Sequence, residues 1–268
     1  MTARMTSFAV YRRMIGASMR AQLQYRASLI LSTLGTLLVT CSELTTMFAL
    51  FDRFGQIRGW TLPQVALFYG QVSIVWAICD AVGRGLDTFG NLVRGGGFDR
   101  LLLRPRGLIL QLLGQELTLR RAGRLVQGVA VLIYAASAID WTLGRACLLA
   151  ASIAGGVCVF FGALVLQATT MFWAVESVEV WAAFTYGGVT MSQYPLAIFR
   201  SWFRAFFIYV LPIGCALYFP GVVILNIRDP LGAPALVGWF APLAGPAFLS
   251  GSLVVWRFGV RHYRSTGS

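Results

Sequence analysis

The sequence predicts an all-α polytopic membrane protein with six transmembrane helices, and three observations carry that reading. Apolar runs of about 20 residues, long enough to cross a hydrocarbon core of about 30 Å as a helix, recur along all 268 residues. Mean hydropathy is +0.72 with 12% charged residues, outside the range of soluble domains. The basic residues, all 22 of them arginine, cluster at alternate ends of the apolar runs, the pattern expected for a multi-pass chain.

Taken in order, Phe8, Tyr11, Ile15, Met19 and Leu23 recur at helical spacing while Arg12, Arg13 and Arg20 fall elsewhere on the wheel. Residues 1–26 therefore read as an interfacial helix on an anionic leaflet, or as the start of the first span. Five arginines in those residues, with no early apolar core and cleavage site, argue against a cleaved signal peptide. The first span is expected over Ala27 to Phe51 and the second over Leu62 to Val82, where Pro63 fits the opening turn. Together they occupy residues 27–83. Residues 84–124 form the most polar region, and within it "RGGGFDRLLLRPRG", Arg94 to Gly107, gathers four arginines, an aspartate and three consecutive glycines. An amphipathic stretch, "LTLRRAGR", leads to a third span of only 15 residues, Leu125 to Ile139, whose helix should begin well before the membrane and whose Arg120, Arg121 and Arg124 should snorkel.

Residues 125–256 hold spans three to six. The fourth is expected over Ala146 to Phe172, followed by a weaker apolar segment with Glu176 and Glu179. The fifth, Ala205 to Leu225, contains Pro212 and Pro220 and should be kinked or broken near its far end. The sixth, Ala235 to Trp256, stops at Arg257, Arg261 and Arg264, and residues 257–268 form a tail. The whole is one transmembrane domain. With Arg200 and Arg204 assigned to the side of the termini, that side holds 18 of the 22 arginines, which places both termini and the Arg94 to Arg106 segment in the cytoplasm.

The same inventory excludes several functions. A phosphate-binding loop ends in Lys, and this chain has none, so ATP hydrolysis is not expected of it. The ten carboxylates are scattered, no nucleophile and base share a motif, and the cysteines (Cys41, Cys79, Cys147, Cys158, Cys215) are single with no metal-like spacing to His262. No cofactor or metal is expected. The net charge of +12 raises nucleic acid as a partner, but its placement at span ends assigns it to the bilayer. "LSGS", Leu249 to Ser252, reads as small residues allowing close helix packing. Glu43 lies inside the first span, where an ionisable side chain is a functional candidate by default. It either borders a translocation path or pairs with a nearby arginine. Asp80, Glu176 and Glu179 read as interface charges near span ends.

Two stretches, "FGNLVRGGGFDRLLLRPRG" and "YPLAIFRSWFRAFFIYVLPIGCALYFPG", resemble the membrane subunits of bacterial type 2 ABC exporters, and the six-span layout extends the likeness over most of the chain. The resemblance implies a permease of the inner membrane that dimerises with itself or a sister permease. It would bind two copies of a separate ATPase, on which ATP and magnesium act. It also implies that Arg94, Gly95, Gly96, Gly97, Phe98, Asp99, Arg100, Leu101, Arg104, Pro105 and Arg106 form a cytoplasmic coupling helix on a glycine hinge, with Phe98 as the anchor in the ATPase. Pro212, Tyr218, Phe219 and Pro220 would belong to an outer re-entrant gate. A secondary carrier, which would carry an internal repeat and a midplane ionisable cluster, and a non-transporting membrane scaffold are the competing functions.

Overall fold

A computed structural model describes residues 7–104, 106–115, 117–118, 121–173 and 178–263. It is helical with no strands among them, and four helices are long and apolar enough to cross a membrane: α2 (Arg26–Phe54), α3 (Leu62–Val82), α9 (Leu143–Thr170) and the pair α13 (Ala235–Phe240) and α14 (Ala244–His262). The protein is thus an all-α polytopic membrane protein. A helix α1 (Ser7–Gln24) precedes them, separated from α2 by Tyr25. The start of α3 is built as the sequence suggests, with Pro63 in the first turn and Thr61 N donating to Gln64 Oε1 at 2.9 Å.

Between α3 and α9 the chain forms three very short helices, α4 (Arg84–Asp87), α5 (Phe89–Arg94) and α6 (Gly97–Leu102), then α7 (Leu108–Gln115) and α8 (Ala122–Ala136). The polar helix expected over Arg94 to Arg106 is divided: Gly95 ends α5 and Gly96 takes φ +63° ahead of α6, a conformation that costs a glycine little. Helix α8 starts at Ala122, three residues before the expected span. At 15 residues it is about 22 Å long.

The fifth span carries the break that the sequence predicts but differs in its course. Over Ala205 to Leu225, Ser201–Val210 and Gly214–Ile224 meet at 89°, with Pro212 in the break. Both ends of this bent pair lie at the end of the bundle that carries the loop after α2. Arg58, in that loop, donates from Nη1 to the Ile198 carbonyl at 3.0 Å. In the second arm, Tyr218 stacks on Phe68 near the start of α3, 5.9 Å between centroids, and donates to Asp229 Oδ1, beyond the end of the pair, at 2.6 Å. A segment that enters and leaves at one end is re-entrant. The return crossing therefore falls to α10 (Val178–Ser192), the segment with Glu179 in its first turn that the sequence reading left unassigned. Glu176 lies outside the described residues, as do Arg4, Glu116, Arg120 and Arg264. Arg200 and Arg204 move to the opposite end from the Arg94 to Arg106 segment, which reduces the arginine asymmetry without reversing it.

This layout predicts a labelling pattern. In a background lacking the five native cysteines, Ser201→Cys, exposed ahead of the bend, will react with an impermeant thiol reagent from the same side as Gly55→Cys and Gly232→Cys. Gly96→Cys will react only from the other side. Reaction of Ser201→Cys together with Gly96→Cys would restore residues 205–225 as a full span.

Helices pack where small residues let backbones approach, as expected where lipid supplies no hydrophobic drive between them. A Cβ on Gly245 of α14 would stand 2.2 Å from the Gly155 carbonyl oxygen of α9, and one on Gly85 of α4 would stand 1.9 Å from the Leu112 carbonyl oxygen of α7. Ser252, in the small-residue stretch of α14, is buried against Gly162 of α9.

Candidate functional site

Three constellations hold the residues singled out by sequence. The first is the short-helix region after α3. Leu86, Phe89, Val93, Phe98, Leu101 and Leu112 form one buried cluster with Leu164 and Ala168 of α9, Met171 just past its end, and Trp256 of α14. Phe98 is its centre, with 0% of its surface exposed. Its ring lies 4.9 Å from that of Tyr263, 5.1 Å from Phe89 and 5.5 Å from Phe172, the first two edge to face. The sequence reading put Phe98 at the ATPase face; in this chain its ring is enclosed by Phe89, Phe172 and Tyr263. It pins α6 to the ends of α9 and α14.

The surface that α6 presents is set by the same register. With Gly97, Phe98 and Leu101 turned inward, Arg100, Leu102, Leu103 and Arg104 are exposed, Leu103 to 84%. Arg94 and Gly95 are also exposed, while Gly96, Asp99 and Arg106 are partly covered. Gln111 of α7 donates to the Arg106 carbonyl at 3.1 Å, which ties the end of the segment to the next helix. Pro105 lies outside the described residues. The region is fastened to the spans by polar contacts as well. Arg84 Nη1 meets Asp87 Oδ2 at 2.7 Å, and Gln167 of α9 donates to Asp87 Oδ1 at 3.0 Å. Arg121 Nε lies 2.5 Å from Asp80 Oδ2, whose side chain is 4% exposed. Asp80 is thus a buried ion-pair member rather than an interface charge, and Arg121 is turned inward rather than snorkelling.

The second constellation surrounds Glu43. Tyr69 of α3 donates to Glu43 Oε2 at 3.3 Å, Gln193 just beyond α10 donates to it at 3.2 Å, and Arg124 Nη2 of α8 lies 3.6 Å from it. Gln127, one turn along α8, donates to the Thr40 carbonyl at 2.8 Å and to the Tyr69 hydroxyl at 3.1 Å. Three helices and the end of a fourth thus converge on one carboxylate. The Arg124 side chain is 13% exposed and that of Glu43 35%, so Arg124 also points into the bundle. The pairing of Glu43 with an arginine was open in the sequence, but its partner stands 81 positions away, beyond any local pattern. Mid-span Tyr69 and Gln127 were the available signal, since a polar side chain there needs a partner.

The third is the bend. Pro212, Tyr218, Phe219 and Pro220 are all buried. Tyr218 sits between Trp60, 6.4 Å away, and Phe68, while Asp229 accepts from Tyr218 and from the backbone N–H groups of Leu231 and Ala233 at 3.1 and 3.0 Å. The re-entrant segment is closed by this clamp, which joins its far arm to the loop before α13.

Residues 37–267 match the family model described as ABC-2 family transporter protein. Searches of curated proteins and of solved structures return no match.

Proposed function

The chain belongs to the ABC-2 transporter family, a family of membrane transport components, and from that membership we propose that it is the permease subunit of an ATP-driven exporter. It forms the translocation path with a second permease, itself or a sister chain, and couples to two copies of a separate ATPase that binds ATP and magnesium. It resides in the bacterial inner membrane with both termini cytoplasmic. The observation that carries the coupling is the short-helix region: it projects an exposed Arg100, Leu102, Leu103 and Arg104 from one end of the bundle while Phe98 fastens it to α9 and α14. A solvated loop needs no such fastening. A lever that takes a push from a partner does, because force applied at Leu103 reaches the spans only through a rigid joint.

In this mechanism the ATPase grips the exposed rim and its closure moves α6. The aromatic cluster passes the displacement to α9 and α14. Glu43, at the partly exposed edge of its polar cluster, borders the path, and the Pro212 bend with the Tyr218 to Asp229 clamp forms the outer gate.

Affinity purification of the tagged chain from its native membranes tests this reading. An ATPase subunit with a lysine-bearing phosphate loop will co-purify at one copy per permease, and the complex will hydrolyse ATP. The chain alone, having no lysine, will not rise above background. Hydrolysis by the chain alone, or purification of a functional transporter without any such subunit, would defeat the proposal.

A further inference from the structure

One end of α14 borders a cavity that neither the coupling region's rim nor the Glu43 cluster uses. It is an open groove of about 410 Å³ between the start of α7 and the last turns of α14, with Gly107, Leu110, Trp256 and Val260 among its walls and Arg257 and Arg261 at its rim. The two arginines stand four residues apart and so share one helix face. Both are exposed, and among the described residues neither is ion-paired, whereas Arg84, Arg121 and Arg124 each hold a carboxylate. Among the described residues no acidic side chain lines the cavity. Two guanidinium groups over an apolar floor are complementary to an anion that carries hydrocarbon.

The position selects among such anions. The cavity opens where the apolar run of the last span ends at Trp256, and Val254, Val255 and Phe258 are exposed along the same helix, at 63%, 42% and 56%. Acyl chains lying on that face would bring a headgroup to the level of Arg257 and Arg261. We propose that this cavity is a binding site for an anionic phospholipid, with Arg257 and Arg261 holding the headgroup phosphate and Leu110, Trp256 and Val260 covering the glycerol and upper chain. Guanidinium groups suit the task because their forked N–H donors match phosphate oxygens two at a time. Free phosphate would gain nothing from the apolar walls.

Native mass spectrometry and thermal melting of the detergent-purified full chain, titrated with phosphatidylglycerol or phosphatidylcholine, test the site. Phosphatidylglycerol is expected to stay bound and raise the melting midpoint, with at least tenfold preference over phosphatidylcholine. The pair Arg257→Gln and Arg261→Gln will lower that affinity about tenfold or more, and so will Leu110→Trp, which fills the cavity without changing charge. Arg145→Gln, at the other end of the bundle, will leave it unchanged. Because removing two arginines also alters insertion signals, Arg257→Lys with Arg261→Lys keeps the charge, and its affinity is expected to fall severalfold through loss of the forked contacts. Equal affinity for the two lipids, or phosphatidylglycerol binding untouched by Leu110→Trp and by the lysine pair, would overturn the proposal. A midpoint shift reproduced by millimolar inorganic phosphate would overturn it in favour of a free-anion site.

Discussion

Phe98→Ala is expected to release α6 from the bundle and to abolish productive coupling while the spans remain inserted. The side chain is fully enclosed by Phe89, Phe172 and Tyr263, among others, and truncating a buried phenylalanine costs about 3–5 kcal/mol. That cost falls on a region of short helices held to the spans by one cluster and a few polar contacts, so it appears as local opening rather than global unfolding. At about 1.4 kcal/mol per factor of ten, the open population rises roughly a hundredfold or more. Hydrogen exchange in peptides covering residues 97–104 will report it directly.

The comparison that gives this result meaning is Leu103→Ala with Arg104→Ala. Those side chains are exposed, so their loss will leave exchange in residues 97–104 at the wild-type rate while association with the ATPase falls about tenfold or more, the usual scale for losing contacts at the centre of an interface. Phe98→Ala will show both defects. If Phe98→Ala kept wild-type exchange protection and lost only association, Phe98 would be a partner-facing anchor after all and the joint assigned to it would not exist.

Hydropathy made most of the architecture legible because α2, α3, α9 and the α13 to α14 pair are long runs whose composition alone commits them to lipid. It failed at residues 205–225 for a physical reason. A segment that dips in and turns back is as apolar as one that crosses, and Pro212 permits either a kink or a reversal. The decision rests on Arg58 with Ile198 and on Phe68 with Tyr218, 140 and 150 positions apart, contacts that no local window contains. The same failure hid α10, whose 15 residues follow Glu176 and begin with Val178 and Glu179. Within the candidate site, a break in the helix was legible because three consecutive glycines favour one, and Gly96 does take a left-handed turn. The burial of Phe98 was not. A phenylalanine between a glycine and an aspartate reads as surface, and only Tyr263, 165 positions later, reveals that the chain folds back over it.

Glu43 and Arg124 are expected to be more costly to separate than to replace together. Breaking a buried ion pair from one side leaves an unpaired charge and typically costs about 3–5 kcal/mol, whereas substituting both members with neutral side chains of similar volume is often close to neutral. Glu43 is about a third exposed while Arg124 is mostly enclosed, so the two single changes should differ. Glu43→Gln strands the guanidinium, because Glu43 is the one carboxylate paired with Arg124 among the described residues. Arg124 Nε and Gln127 Oε1 already have no hydrogen-bond partner among the described residues, so little is available to take over from the carboxylate. Arg124→Met leaves a carboxylate that still receives Tyr69 and Gln193 and reaches solvent or lipid headgroups. Glu43→Gln should therefore be the more damaging change, near the lower end of that range, and the double variant Glu43→Gln with Arg124→Met should recover most of the loss. The cycle will give a coupling of about 1–3 kcal/mol from melting midpoints of the purified protein. Additive single effects would show that the 3.6 Å contact is incidental. The same double variant separates the two roles open to Glu43. If the carboxylate only neutralises Arg124, restoring the fold restores ATPase-coupled function. If it borders the translocation path, the double variant will fold, bind the ATPase and still fail to move cargo, because a neutral amide has taken the place of the charge that cargo meets.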